Sequence, residues 1–339
     1  MQPERAPARF KTHANYLCAF STLVPAHVVG GSLEPLRVAF RATPAVGGTC
    51  VDIDGVWNSL RMAWRTELLL DFTAASFEDD EMVRVANHWA IVQLYYIFYH
   101  ATQALAQAKG QPRTPSHPAT QKTFKAHWAD RNIDLAPWSL ARATSTVRNW
   151  PPSVPLEDVH VWAACDSKTA WVLAAKALRT TRDFSVKEAL AQARVVRQRS
   201  NRKMWRDQEA QRVVDGRKAR REPTFPLPQL SKADKHSEEG KVRATTVMDY
   251  LYRLRIGTNY EDSTTFIEGP QEPSDSLSVR HYVRKLGAAT MLIHELAIAD
   301  LLGAATVVQQ AKAILKTTAS PAIASRLSRR IEQIEAHRT

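Results

Sequence analysis

The chain has 339 residues, enough for one elaborated domain or two ordinary ones with a sizeable core. Its 46 Lys and Arg against 34 Asp and Glu leave a formal charge of +12, which points to a polyanionic partner, because basic side chains displace counterions from phosphates. Cys18, Cys50 and Cys165 are odd in number, widely spaced and form no CxxC pair, which excludes a disulfide framework or zinc knuckle and implies a reducing compartment.

Glycine is sparse, at 12, and the long segments are rich in Ala, Leu, Arg, Lys, Glu and Gln, so the expected class is all-α. The best β-branched runs are short, around Leu36–Phe40 and Cys50–Ile53. Residues 1–53 read as an irregular lead-in. Arg5, Arg9 and Lys11 precede an apolar run that imitates a signal peptide, but Pro25 and His27 interrupt it and no small-residue cleavage site follows. The apolar stretch 288–308 holds His294, Glu295 and Asp300, which makes a poor membrane span. No membrane association is expected, and the location implied is cytoplasmic.

A helix is predicted over Val56–Phe72, where Trp57, Leu60, Trp64 and Leu68 recur at helical spacing. The next opens at Ser76 as N-cap, with Glu78, Asp79, Asp80 and Glu81 in its first turn. Val85, Trp89, Val92, Tyr96 and Tyr99 trace one face of it, and it stops at Lys109-Gly110. A third helix covers His117–Asp130. Residues 149–155, NWPPSVP, break regular structure. A short helix follows over Ser167–Arg179, and Ser185 with Glu188 forms a capping-box pair that opens another, running to Glu222. Residues 223–241 read as a mobile return loop. Val247, Leu251 and Leu254 resume the apolar pattern, then Val283, Leu286, Thr290, Ile293 and Ala297 mark a long amphipathic helix. Helices near Ala304–Leu315 and Pro321–His337 end the chain.

Two distant fragments belong together. YYIFYHATQALAQAKG at 95–110, followed by the polar connection QPRTPSH, and LYRLRIGTNYED at 251–262 resemble the paired signatures of HEPN domains. These are the helical bundles of prokaryotic toxins, CRISPR effectors and phage-defence proteins. The resemblance covers about a third of the chain, chiefly 80–125 and 245–302. It implies a HEPN-like bundle formed by 54–130 and 241–303, a basic helical insertion at 131–240, and a helical tail at 304–339. HEPN bundles often dimerise, so a homodimer or a subunit of a larger nucleoprotein complex is implied.

Ribonucleolytic HEPN proteins use an arginine followed, after four to six residues, by a histidine. Histidine handles the proton of the 2′-hydroxyl or leaving group, and arginine holds the phosphate. The matching arginine is Arg255, but the position five further on is Tyr260. A phenol with a pKa of about 10 is a poor base at neutral pH. Arg253 offers no better spacing. The resemblance therefore implies a bundle that binds rather than cuts, with Arg255 and Tyr260 as ligands for a phosphate or nucleotide. The rival is a metal-independent endoribonuclease with an atypical site at Arg255 and Tyr260. A purely structural role also stands open, with Arg255 paired to Glu261 or Asp262 and Tyr260 capping the bundle. Arg330 and His337 make one formal arginine–histidine match, in the last ten residues. His100 reads as a packed core histidine. His294-Glu295 lacks the second histidine of a zinc-protease helix, and no glycine-rich phosphate loop occurs, so neither metal nor cofactor is expected.

Residues 194–222 carry eleven Arg or Lys against four acids. Arg194, Arg197, Arg199, Arg202, Lys203, Arg206, Arg212, Arg217, Lys218, Arg220 and Arg221 surround the predicted helix, with Trp205 as the single aromatic among them. Such an element suits a phosphate backbone and shows no base-reading pattern. Its alternative is a solvated charged helix balanced by acids. The expectation carried forward is a HEPN-like, non-catalytic nucleic-acid-binding protein, RNA favoured over DNA.

Overall fold

The computed structural model describes residues 5–26, 28, 51–131, 133–143, 147–148, 166–261, 264–318 and 321–336. The breaker at 149–155, the strand candidate at 36–40, Cys50, Cys165, Asp262 and His337 lie outside them. The chain is all-α. Its helices are α1 (Arg5–Thr22), α2 (Ile53–Ser76), α3 (Asp80–Ala108), α4 (His117–Phe124), α5 (Ser167–Val214), α6 (Lys232–Lys241), α7 (Val247–Ile256), α8 (Pro273–Leu302), α9 (Ala304–Lys316) and α10 (Pro321–Ala336). Wider π-helical turns extend α4 over Lys125–Ala129 and α7 over Gly257–Glu261. Among the described residues the strands are two-residue pieces, β1 (Ala141–Arg142) and β2 (Val147–Arg148), paired antiparallel.

Helix α8 is the axis of the core. The residues read from its periodicity, Val283, Leu286, Thr290, Ile293 and Ala297, are all buried. Helices α1, α2, α3, α9 and α10 pack around it. Three fully buried tryptophans from elsewhere in the chain aim their indole N–H groups at one stretch of this helix. Trp138 donates to Thr290 Oγ1 at 3.0 Å, Trp128 to His294 Nε2 at 3.2 Å, and Trp64 to Glu295 Oε1 at 2.5 Å. A buried indole needs an acceptor, and α8 supplies three within six residues. His294 is thereby satisfied as a neutral ring. Its Nδ1–H donates to the Thr290 carbonyl at 2.8 Å, and burial holds its pKa down at about 4.

The lead-in is corrected by α1. Phe10, Leu17 and Phe20 are buried, and the helix packs on α8 and the first half of α5. The start of α3 is corrected too. Ser76 ends α2, and Asp79 is the N-cap, accepting from Met82 N at 3.0 Å. The core face of α3 is Ile91, Leu94, Tyr95, Ile97, Phe98 and Ala101, whereas Trp89 of the expected face is 55% exposed. The far end agrees with the sequence, since Lys109 caps α3 and Gly110 takes a φ of 73°.

The largest correction concerns α5, one helix of 48 residues rather than two. Ser185 does not cap anything. Its hydroxyl donates back to the Thr181 carbonyl at 3.3 Å, the usual way a mid-helix serine is satisfied. The first half is core, with Ala170, Leu173, Ala174, Ala177 and Leu178 buried. From Glu188 to Val214 Glu209 is the one buried residue, and this stretch extends about 40 Å at 1.5 Å per residue. Nor is 223–241 a loop throughout, for KADKHSEEGK forms α6, opened by a reciprocal Ser231–Asp234 capping box. Arg182 ties its end to α5 through the Glu239 and Val242 carbonyls, each at 3.0 Å.

Helix α9 is fixed to the bundle by Val307, Val308, Ala311 and Ile314, and α10 by charge inside the core. Arg330 of α10 bonds both oxygens of Glu67 at 2.6 Å and reaches Glu295 Oε2 at 2.8 Å, all three being nearly inaccessible. Arg330 is therefore a packing residue, which removes it from the candidate sites.

Candidate functional site

Helix α3 sets out Tyr95, Tyr96, Tyr99 and His100, pairs of neighbours one turn apart on one face. Helix α7, packed on α3, brings Tyr252 and Arg255 against them. The connection between α3 and α4 adds a residue whose part the sequence did not reveal, His117. Gln103 secures that connection. Its amide donates to Thr114 Oγ1 at 2.5 Å and Thr120 Oγ1 at 2.8 Å, while Thr114 N returns a bond to Gln103 Oε1 at 3.0 Å. Ser116 then caps α4, with His117 as its first residue.

The result is an aromatic enclosure around one guanidinium. The Arg255 carbon lies 5.3, 5.4 and 5.8 Å from the ring centres of Tyr96, Tyr95 and Tyr252, within cation–π range. Arg255 is 9% exposed, and its Nε has no hydrogen-bond partner. No carboxylate pairs with it among the described residues. The side chains of Tyr260, Glu261 and Asp262 lie outside them, so Tyr260 is placed only by its backbone, in the π-helical turn that continues α7. Arg253 points elsewhere. It stacks on Phe184 at 4.5 Å and donates to the Thr180 carbonyl at 3.0 Å.

His117 stands 5.0 Å from Tyr99 and 5.5 Å from Tyr252, ring centre to ring centre, and its Nδ1 is 2.7 Å from the Tyr95 hydroxyl. Burial pushes the Tyr95 phenol well above its ordinary range, so it keeps its proton. Donation from that hydroxyl to Nδ1 puts the hydrogen of neutral His117 on Nε2. Partial burial and the Arg255 charge both lower the His117 pKa. His100, stacked on Tyr96 at 5.9 Å, is held at about 4 by burial, Arg113 and His117. It belongs to the enclosure rather than the central core. A nuclear magnetic resonance titration should find the His117 midpoint below 6.5, moving upward in Arg255→Ala. An unchanged midpoint in that variant would show that the two groups are not neighbours.

This arrangement offers a fixed cation, a neutral imidazole and three half-buried tyrosine rings, Tyr96, Tyr99 and Tyr252, over the buried Tyr95, a combination that suits a phosphate flanked by stacked bases. Among the described residues no group of three or more His, Cys, Asp or Glu is placed to hold a metal ion, and no helix is long and apolar enough to cross a membrane.

The basic arm is only partly available. Residues 217–230 run back beside α5, with Phe225 against Trp205 at 6.3 Å and Gln198 bonded to the Phe225 carbonyl. Arg197 pairs with Asp234, Arg202 and Arg206 with Glu222, and Arg212 and Arg220 with Glu209. Those five arginines hold the arm together. Arg194, Arg199, Lys203, Arg217, Lys218 and Arg221 are exposed and make no ion pair among the described residues. No family model, curated protein or solved structure matches the chain.

Proposed function

We propose that the chain is a HEPN-like protein that binds single-stranded nucleic acid, RNA in preference to DNA, without cutting it. The observation that carries this reading is the Arg255 guanidinium, enclosed by three tyrosine rings beside neutral His117 and with no acidic partner among the described residues. An arginine held this way neutralises a phosphate, and the half-buried rings of Tyr96, Tyr99 and Tyr252 take base faces without regard to sequence. The exposed cations of the arm extend the phosphate path. A role in a prokaryotic defence assembly, alone, as a dimer or as a scaffold subunit, follows from the resemblance only.

A metal-independent ribonuclease is the second reading, and one observation favours it. A histidine is missing five residues after Arg255, but His117, from the other fragment, stands close enough to Arg255 for its charge to lower the imidazole pKa. Cleavage needs both an acid and a base, however, and the nearest second imidazole, His100, is stacked on Tyr96 with its pKa lowered to about 4. The test is fluorescence anisotropy and gel analysis of single-stranded RNA in EDTA. Wild type should bind without cleaving, and Arg255→Ala should bind at least about tenfold more weakly, the loss of a charged hydrogen bond. Cleavage that disappears in His117→Ala would establish the ribonuclease instead, and RNA binding indifferent to Arg255 would dismiss both.

A further inference from the structure

Trp89 is the one exposed tryptophan among the described residues, in a chain that buries Trp64, Trp128 and Trp138 completely. An indole turned to water is the kind of apolar surface that asks for a partner. Its place on α3 is informative. At 100° per residue, Trp89, Gln93, Tyr96 and His100 follow one another along one face, and that face is half-buried or exposed throughout. Tyr96 and His100 belong to the enclosure around Arg255, so the face leads out of the enclosure and ends on the indole. Seven residues at 1.5 Å each place Trp89 roughly 10 Å from Tyr96 along the helix. The His88 ring meets the indole edge-on, with 5.5 Å between ring centres.

Charge along the helix has a matching direction. Glu78, Asp79, Asp80 and Glu81 crowd its start, Asp80 being paired with Arg84, and from Val85 to Gly110 no acidic residue follows. Beyond the far end, Arg113 is exposed and makes no ion pair among the described residues. It stands close enough to His100 for its charge to lower the imidazole pKa. A polyanion lying on this face meets cations at Arg113 and Arg255, then a stretch of α3 without carboxylates as far as Trp89. The acids lie just past the indole, and like charge turns a phosphate backbone away there.

We propose that Trp89 is the terminal stacking platform of a single strand that leaves the Arg255 enclosure and crosses α3. The proposal rests on the reading of that enclosure as a phosphate site. At a rise of ~3.4 Å per nucleotide, the stretch from Tyr96 to Trp89 holds about three base steps. The ligand is therefore a strand of several nucleotides rather than a free mononucleotide. Every base has a face to stack, so the platform adds affinity without sequence preference.

A single-stranded uridine octamer is the probe. Wild type should bind it with quenching of indole emission, and Trp89→Ala should bind about tenfold more weakly, the worth of one base stacked on an aromatic ring. Trp89→Phe keeps a ring and should recover most of the affinity while losing the quenching. Because the indole is exposed, all three proteins should share one circular dichroism spectrum and one melting temperature. Octamer binding that weakens in Arg255→Ala but not in Trp89→Ala would overturn the platform and leave the phosphate site standing. Quenching that persists in Trp89→Phe would overturn it too. So would an effect of Trp89→Ala confined to sedimentation, which would make the indole a contact between protein copies. Failure of wild type to bind the octamer would remove the phosphate site, and the platform with it.

Discussion

Arg330→Met should destabilise the protein by about 3–5 kcal/mol, the cost of leaving buried charge without its partner. Two carboxylates, from Glu67 and Glu295, converge on this one guanidinium in a place that water does not reach. Burial raises the Glu67 carboxyl above its ordinary range even with Arg330 in contact, so the site is already short of positive charge. The two carboxylates in turn hold Arg330 charged against the opposing effect of burial. Next to them Asp71 pairs with Arg284 at 2.7 Å and Arg326 at 3.5 Å. Methionine fills similar space and supplies no charge. Glu67 must then bind a proton to remain inside. The Glu67 carboxyl, already raised above the unfolded 4.5, loses the charge that lowers it, so the variant's stability is retained below that pH and lost as pH climbs through the raised value. Urea denaturation should therefore show a deficit against wild type that is small near pH 4.5 and largest near pH 8. A deficit independent of pH would mean that packing rather than charge is lost. Changing Glu67 and Glu295 to Gln in the same chain should recover most of the stability, because neutral amides need no counter-ion.

Much of the bundle was legible because helical periodicity is a local property. Trp57, Leu60 and Trp64 on α2, and Val283 through Ala297 on α8, were found from spacing alone and are buried. Failures came where tertiary contacts outweigh local preference. Ser185 with Glu188 read as the start of a new helix because a serine side chain competes for the backbone. Within α5 the Ser185 hydroxyl, like that of Thr181, donates to a carbonyl one turn back, and Arg182 is clamped between the carbonyls of α6 and the residue after it. In α1 the basic residues masked an apolar face of Phe10, Leu17 and Phe20 that closes on Tyr250 and Phe266. The site was half legible. Arg255 and the tyrosines announced themselves by motif, but His117 lies 138 positions before Arg255, and no spacing rule links the two.

The six exposed cations of the arm should dominate the salt dependence of RNA binding. Arg194, Arg199, Lys203, Arg217, Lys218 and Arg221 can each release a counterion from a phosphate, whereas Arg197, Arg202, Arg206, Arg212 and Arg220 already face Asp234, Glu222 or Glu209. On single strands each contact contributes about −0.7 to the slope of log affinity against log salt, so six contribute roughly −4. Between 50 and 200 mM salt that slope amounts to about a 300-fold loss of affinity. Changing the six to Gln should flatten the slope by about that amount and weaken binding at low salt for all sequences alike. The paired arginines make the informative contrast. Arg202→Gln with Arg206→Gln should loosen the return segment by freeing Glu222, a change visible as faster proteolysis near Phe225. If the six-fold variant keeps the wild-type slope, the arm does not touch the phosphate backbone, and its charge serves only to hold its own two halves together.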